Sequence, residues 1–430
     1  PTEHTTKKHK STSHIYDIYF VNLHIRNIRI ISNRIRDHIA MNDKKKQLYL
    51  DFEAYERVAE PHKREKAEAW RAAIGLQDVD GLKVSEYLKE TAAKHIEGDI
   101  TIDDVREQLR SYYINKTTHD KDDVASEEAD CVAANITKLL SEKSFSFTPL
   151  EFRNIHRHLF EGVFKHAGET RTYDITKNEW VLQGDTVMYG RAADIMATLE
   201  YDIQQEKEFC YTGLSTDEII LHIANFVSLL WQNHPFCEGN TRTTAVFLIK
   251  YLRYCGFTVN NNLFADNSWY FRNALVRANY RNPQKGIEPD HSFLVRFLRN
   301  LLLGEHNELK NRYMLINQTE IPNIDRTSDR TSDRTSDRTS DRTSDERLLD
   351  SIPDNIKSLV IAIGKNEMSV KEMMTTLELK HRPNFMTQLL SPAINMGLVR
   401  MKYPDSPRHS KQRYLLTVRG LILIDNLDAQ

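Results

Sequence analysis

Two apolar repeats at helical spacing, joined by one short polar segment, constrain this 430-residue chain more than any other feature. In the first, Thr216 to Trp231, residues Ile219, Ile220, Ile223, Phe226, Val227 and Leu230 share a face. In the second, Arg242 to Cys255, Val246, Ile249 and Leu252 repeat the pattern. The segment between them, His234-Pro235-Phe236-Cys237-Glu238-Gly239-Asn240-Thr241-Arg242, reads as a loop pinned between two buried helices. Gly239-Asn240-Thr241 falls where the second helix begins, so its backbone N–H groups point outward without intrahelical partners. A helix start of this kind binds anions, phosphate most readily. With His234 as a base, Glu238 as a hard-metal ligand and Arg242 as a fixed cation, the loop holds the residue set of phosphoryl or nucleotidyl transfer.

These residues closely resemble the signature of the Fic family, His-x-Phe-x-(Asp/Glu)-Gly-Asn-(Gly/Lys)-Arg-x-x-Arg. Flanking segments are similar too: Ile155-His156-x-x-Leu159-Phe160, Ala167-Gly168-x-x-Arg171 and Ile175-Thr176-Lys177. The resemblance covers roughly residues 45 to 305. Thr241 and Ala245 depart from it, standing where Gly and the second Arg are usual. Most members with this signature move AMP from ATP onto a protein hydroxyl. The resemblance therefore implies a protein adenylyltransferase using ATP and Mg2+ on a Ser, Thr or Tyr of a target or of itself. It makes His234 the base and Glu238 the Mg2+ ligand, with Gly239, Asn240, Thr241 and Arg242 on the phosphates. Ala245 leaves two alternatives open: a Doc-type relative that transfers the γ-phosphoryl group, and an inactive Fic scaffold serving as a DNA-binding regulator.

The expected fold is mainly α, a Fic-type helical bundle with a β-hairpin flap and a C-terminal winged helix-turn-helix domain. Strand-favouring text from Gly168 to Tyr189, around a Gln183-Gly184-Asp185 turn, marks the flap. By resemblance, Lys177, Trp180, Val181 and Leu182 dock the target along it, as edge pairing does in peptide recognition; a purely structural excursion is the alternative. Phe271 and Asn279 fit the family's nucleoside pocket, or else a core aromatic and a helix C-cap. The segment from Gly81 to Gly98 looks like the family's antitoxin module. Glu97 is then its inhibitory glutamate, though Ala93 replaces the usual Ser/Thr and Ala245 removes the usual partner; otherwise it is a solvated residue at a Gly-capped helix end. His156 and His158, two apart on a helix, point away from each other and read as packed histidines rather than metal ligands.

The domains expected are a leader at 1–40, a helical antitoxin-like module at 41–120, a catalytic domain at 121–305, a linker at 306–345 and a winged-helix domain at 346–430. The leader, basic and ahead of Met41, reads as a transit peptide or as text translated upstream of the true start, the second being preferred. Asp-Arg-Thr-Ser repeated from Asp325 to Ser344 offers no face to bury and reads as a solvated linker. In the last domain Arg382, Arg408 and Lys411 are candidate DNA contacts. A net charge of −2 argues against bulk coating of nucleic acid. Four scattered cysteines point to free thiols in a cytoplasmic setting, and no apolar run is long enough to span a membrane. Expected partners are a protein substrate on the flap, DNA on the winged helix and, as an open alternative, a second copy of the chain.

Overall fold

The computed structural model describes residues 60–116, 121–259, 261–316 and 352–428. The leader, the helix text before Pro61 and the Asp-Arg-Thr-Ser repeat lie outside the described residues. The chain forms two units, 1–64 and 65–430, and of the first only 60–64 are described.

Helices dominate, and their ends follow local capping chemistry. After α1 (Pro61–Gly75) and a 3-10 turn (Leu76–Asp80), Ser85 accepts the Leu88 N–H to start α2 (Glu86–Glu97), and left-handed Gly98 ends it. Thr101 and Asp104 form a capping box on α3 (Ile102–Ile114). α4 (Lys121–Ser141) and α5 (Pro149–Leu159) follow, the latter with proline in its first turn. α6 (Ile195–Glu208) leads to α7 (Thr216–Asn233), which opens on a Ser215/Glu218 capping box. α8 (Asn240–Tyr254) is buried on all sides from Asn240 to Leu252, which makes it the axis of the bundle. α4, α5, α7 and the Leu76–Asp80 turn pack around it. α9 (Asn262–Asn279, kinked at Asn267) and α10 (Ser292–Leu303) complete the layer.

The C-terminal module has its own core of Ile356, Leu359, Val360, Phe385, Leu398 and Leu416. Its helices are α11 (Asp354–Ile363) and α12 (Val370–Thr376), then a run from α13 (Arg382–Phe385) through a π turn (Met386–Leu390) to α14 (Ser391–Asn395). The wing is the antiparallel pair β1 (Val399–Met401) and β2 (Tyr414–Leu416), registered Arg400 to Leu415. A closing helix, α15 (Val418–Asp428), follows β2. Gly397 and Gly256 meet backbone to backbone, since a Cβ on Gly397 would lie 2.2 Å from the Gly256 carbonyl oxygen. Asp425 on α15 accepts both the amide and the hydroxyl of Thr216 at 2.7 Å. The module thus touches the start of α7 and the end of α8, the two helices that flank the signature loop.

The wing holds the one β-ladder among the described residues. The flap departs from expectation here. The chain does reverse at Gln183-Gly184, but Trp180–Leu182 is a 3-10 turn rather than a strand. Glu179 supplies the reason: its amide bonds the Asp185 carbonyl, and its own carbonyl accepts the Gly184 and Leu182 amides, closing the turn on itself.

Candidate functional site

α7 ends at Asn233 because His234 adopts a left-handed conformation, φ 46° and ψ 57°. A branched-free side chain tolerates this geometry only where neighbours enforce it. The His234 amide bonds the Trp231 carbonyl at 3.1 Å, and Nδ1 lies 3.2 Å from the same oxygen. A carbonyl accepts only, so Nδ1 carries the proton and Nε2 is left with a lone pair. Nε2 is buried without a hydrogen-bond partner, and the residue is 2% exposed. Burial, followed by the Lys177, Arg272 and Arg171 charges, holds the imidazole well below the ordinary histidine range. The ring is therefore neutral, with its lone pair at Nε2.

The rest of the loop is held from several sides. Phe236 is fully buried between Phe152 and His156, whose ring stacks on it at 3.7 Å. His156 accepts the Gly168 amide at Nδ1 (2.8 Å) and donates from Nε2 to the Glu238 carbonyl (3.1 Å), as a packed histidine should. Asn240 closes the loop on itself: Oδ1 accepts the Phe236 amide and Nδ2 donates to the Phe236 carbonyl. Its side chain thus fixes the loop's shape. The Thr241 hydroxyl accepts the Trp231 indole N–H at 2.9 Å. Gly239 has φ 72°, and a Cβ there would come within 2.1 Å of the Phe160 ring. α8 has no side-chain cap; its ladder starts with the Thr243 amide on the Gly239 carbonyl, leaving the amides of residues 240–242 ahead of it. Glu238 is exposed beside that end. Among the described residues no cluster of three or more His, Cys, Asp or Glu side chains could hold a metal. One carboxylate completed by phosphate oxygens is nonetheless the usual setting for Mg2+, so Glu238 fits it.

Arg242 is placed differently from expectation. Its side chain is 2% exposed and caged: Nε lies 2.7 Å from Asp80 Oδ2, Nη2 donates to Glu128 (2.8 Å) and Nη1 to Gln77 (3.0 Å). Asp80 belongs to the turn after α1 and Glu128 to α4, so two remote carboxylates occupy the loop cation. Glu97 ends α2 as expected, half buried ahead of Gly98. Ala245 is fully buried inside α8.

Two other candidate residues are engaged within the protein. Phe271 is fully buried in the core, with Phe264 and Phe297 at ring distances of 5.2 and 5.1 Å. Asn279 spends its amide on the Ser228 and Leu275 carbonyls, 3.0 Å each. On the flap, Val181 and Leu182 are buried, so their side chains are not available to a docked target. Trp180 and Met188 are exposed, at 40% and 84%, and Lys177 is half buried. Tyr189, unremarked in the sequence, lies on His234 with ring centroids 4.4 Å apart, and its hydroxyl donates to Glu179 (2.7 Å), which pairs with Arg272 (2.7 Å). These partners come from distant segments whose spacing carries no local signal. In the wing module Arg382, Arg408 and Lys411 are exposed, and among the described residues no carboxylate pairs with them. Lys402 and Arg413 are paired with Glu367 and Glu372.

Residues 146–252 match the Fic/DOC family, and residues 354–417 match the C-terminal domain of filamentation induced by cAMP protein Fic-like. The chain carries a Fic/DOC family domain. Its Fic signature is thus the loop just described. A Sinorhizobium fredii (strain NBRC 101917 / NGR234) protein named "Probable protein adenylyltransferase y4lH" is 28% identical over 131 residues, 30% of this chain and 62% of that protein. "Protein adenylyltransferase VbhT" of Bartonella schoenbuchensis is 30% identical over 108 residues, 25% of this chain and 21% of that protein. The chain therefore spans less than two thirds of the length of either relative. A solved Fic family protein from Desulfovibrio desulfuricans G20 aligns over 82% of this chain and 87% of its own at 16% identity, with a TM-score of 0.34.

Proposed function

We propose that this Fic protein is a protein adenylyltransferase that moves AMP from ATP to a Ser, Thr or Tyr hydroxyl of a protein docked along residues 173–190. One observation carries the reading: a neutral His234 with an unpartnered, inward Nε2 stands beside an uncapped helix start and an exposed carboxylate. Relatives named protein adenylyltransferase support it.

His234 Nε2 takes the hydroxyl proton as the substrate oxygen attacks the α-phosphorus and pyrophosphate departs. The amides at the start of α8 offset charge on the phosphates. Glu238 would hold Mg2+, which when bound neutralises phosphate oxygens. Fixed placement and charge stabilisation supply most of the rate, the base adding about 10²–10⁴-fold. Incubation with α-labelled or γ-labelled ATP tests this, with transfer expected from the α position alone and abolished in His234→Ala. The second reading, γ-phosphoryl transfer, is favoured by two features: Ala245 supplies no guanidinium, and Arg242 is already caged. It predicts label from the γ position only.

Arg382, Arg408 and Lys411, exposed and without a carboxylate partner among the described residues, suit contact with DNA phosphates. A labelled duplex should then bind with an affinity that falls steeply as salt rises; binding insensitive to salt would remove DNA from the proposal.

A further inference from the structure

Arg171 is buried at 2% exposure, and the exposed Asp174 carboxylate stands 3.8 Å from it. Its donors go to main-chain oxygens. Nε donates to the His234 carbonyl (2.8 Å), Nη1 to that of Tyr173 (2.7 Å), and Nη2 to those of Asn233 (3.3 Å) and Gly190. The Arg171 amide adds a bond to the Pro235 carbonyl at 2.8 Å. These acceptors fall into two sets. Tyr173 and Gly190 are the two ends of the strap that bears Trp180 and Tyr189. Asn233, His234 and Pro235 are the turn that holds the base in its left-handed conformation. A planar fork of five donors can serve both sets at once; an ammonium cannot.

We propose that Arg171 is a positioning residue that fixes the register between the strap and His234, so that a hydroxyl presented on the strap arrives at Nε2. This rests on the transferase reading above. The hub explains why a strap without a β-ladder can still have a defined place relative to the base. It also adds positive charge near the imidazole, together with Lys177 and Arg272, while Asp174, Tyr173 and Cys237 face the guanidinium itself.

Two variants of the full chain separate geometry from charge. Arg171→Lys keeps the charge and loses the fork; Arg171→Gln loses both. For Arg171→Lys, kcat for AMP transfer should fall about 10²-fold, the loss expected of a displacement near 1 Å. KM for ATP should stay within about twofold, and the acid limb of the pH profile should not move. For Arg171→Gln the kcat loss should be similar and the acid limb should move to higher pH, because a nearby positive charge is gone. Undiminished kcat in Arg171→Lys, or a rise in KM alone, would overturn the proposal. A measurement on the wild-type chain needs neither folded variants nor activity: NMR should show the Arg171 Nε–H exchanging slowly with solvent. Exchange as fast as in free arginine would overturn the register hub even in an active enzyme. Slow exchange with no label transferred from ATP would instead retain the hub and reject the transferase reading.

Discussion

Asp80 Oδ2 lies 2.7 Å from Arg242 Nε, joining the turn after α1 to the first helical turn of the signature. With Glu128 on the other side, the one guanidinium that the signature retains is already neutralised before any phosphate arrives. Removing these charges should free it. The double variant Asp80→Asn, Glu128→Gln is expected to bind ATP about tenfold more tightly, in the range of one charged hydrogen bond reassigned to phosphate. The effect is kept modest because Asp80 is about a third exposed and partly screened. Nucleotide titration by calorimetry checks this; weaker binding in the double variant would show the cage to be a support for the site.

Tyr189 packs on the His234 ring, and its hydroxyl is held by Glu179, which pairs with Arg272. Tyr189→Ala should let diethyl pyrocarbonate modify His234 about tenfold faster, and should raise hydrolysis of ATP by water relative to transfer to protein. Peptide mapping of the modified histidine reads the first effect. An unchanged modification rate would mean that other groups close the site.

Three buried histidines make stability depend on pH. Burial lowers His156 to about 3 and His95 to about 4, and lowers His234 as well. In each case the unfolded chain takes up the proton first, near 6.5, so the contribution is complete above that pH and is lost as pH falls toward the folded values. The loss is roughly 1.4 kcal/mol per group per pH unit below 6.5. Urea denaturation at pH 7 and pH 5.5 should show lower stability at the acid value. His156→Asn should weaken that dependence, and a flat profile in the wild type would contradict the burial of these rings.

Gly239→Ala should abolish transfer and lower Tm by several degrees. The position combines φ 72° with a Cβ that would meet the Phe160 ring at 2.1 Å, so both strain and collision act on the helix start. Circular dichroism melts and label transfer are the two readouts. A variant with native Tm and full transfer would mean that Phe160 yields freely.

Much of the site was legible in the sequence because its signals are local. The stop at Gly98 and the helix pair around His234 each depend on residues within a turn or two. The flap shows the limit. Alternating text at Trp180-Val181-Leu182 suggested a strand, but the Glu179 main chain folds those residues into a turn, and Val181 and Leu182 go to the core. Phe271 likewise matched a spacing that a core aromatic satisfies equally well. Nothing near Arg242 in the chain announces Asp80 or Glu128.

By itself the sequence determined the helical bundle, the loop between two buried helices that carries His234 and Glu238, and the separate C-terminal module. Periodicity, caps and composition act over a few residues, so they survive without knowledge of the fold. Tertiary structure decided which charges meet: the cage on Arg242, the Tyr189 cover on His234 and the Arg171 hub on five carbonyls. Those contacts join segments separated by tens of residues, where electrostatic and hydrogen-bonding partners are set by packing distance and not by order along the chain.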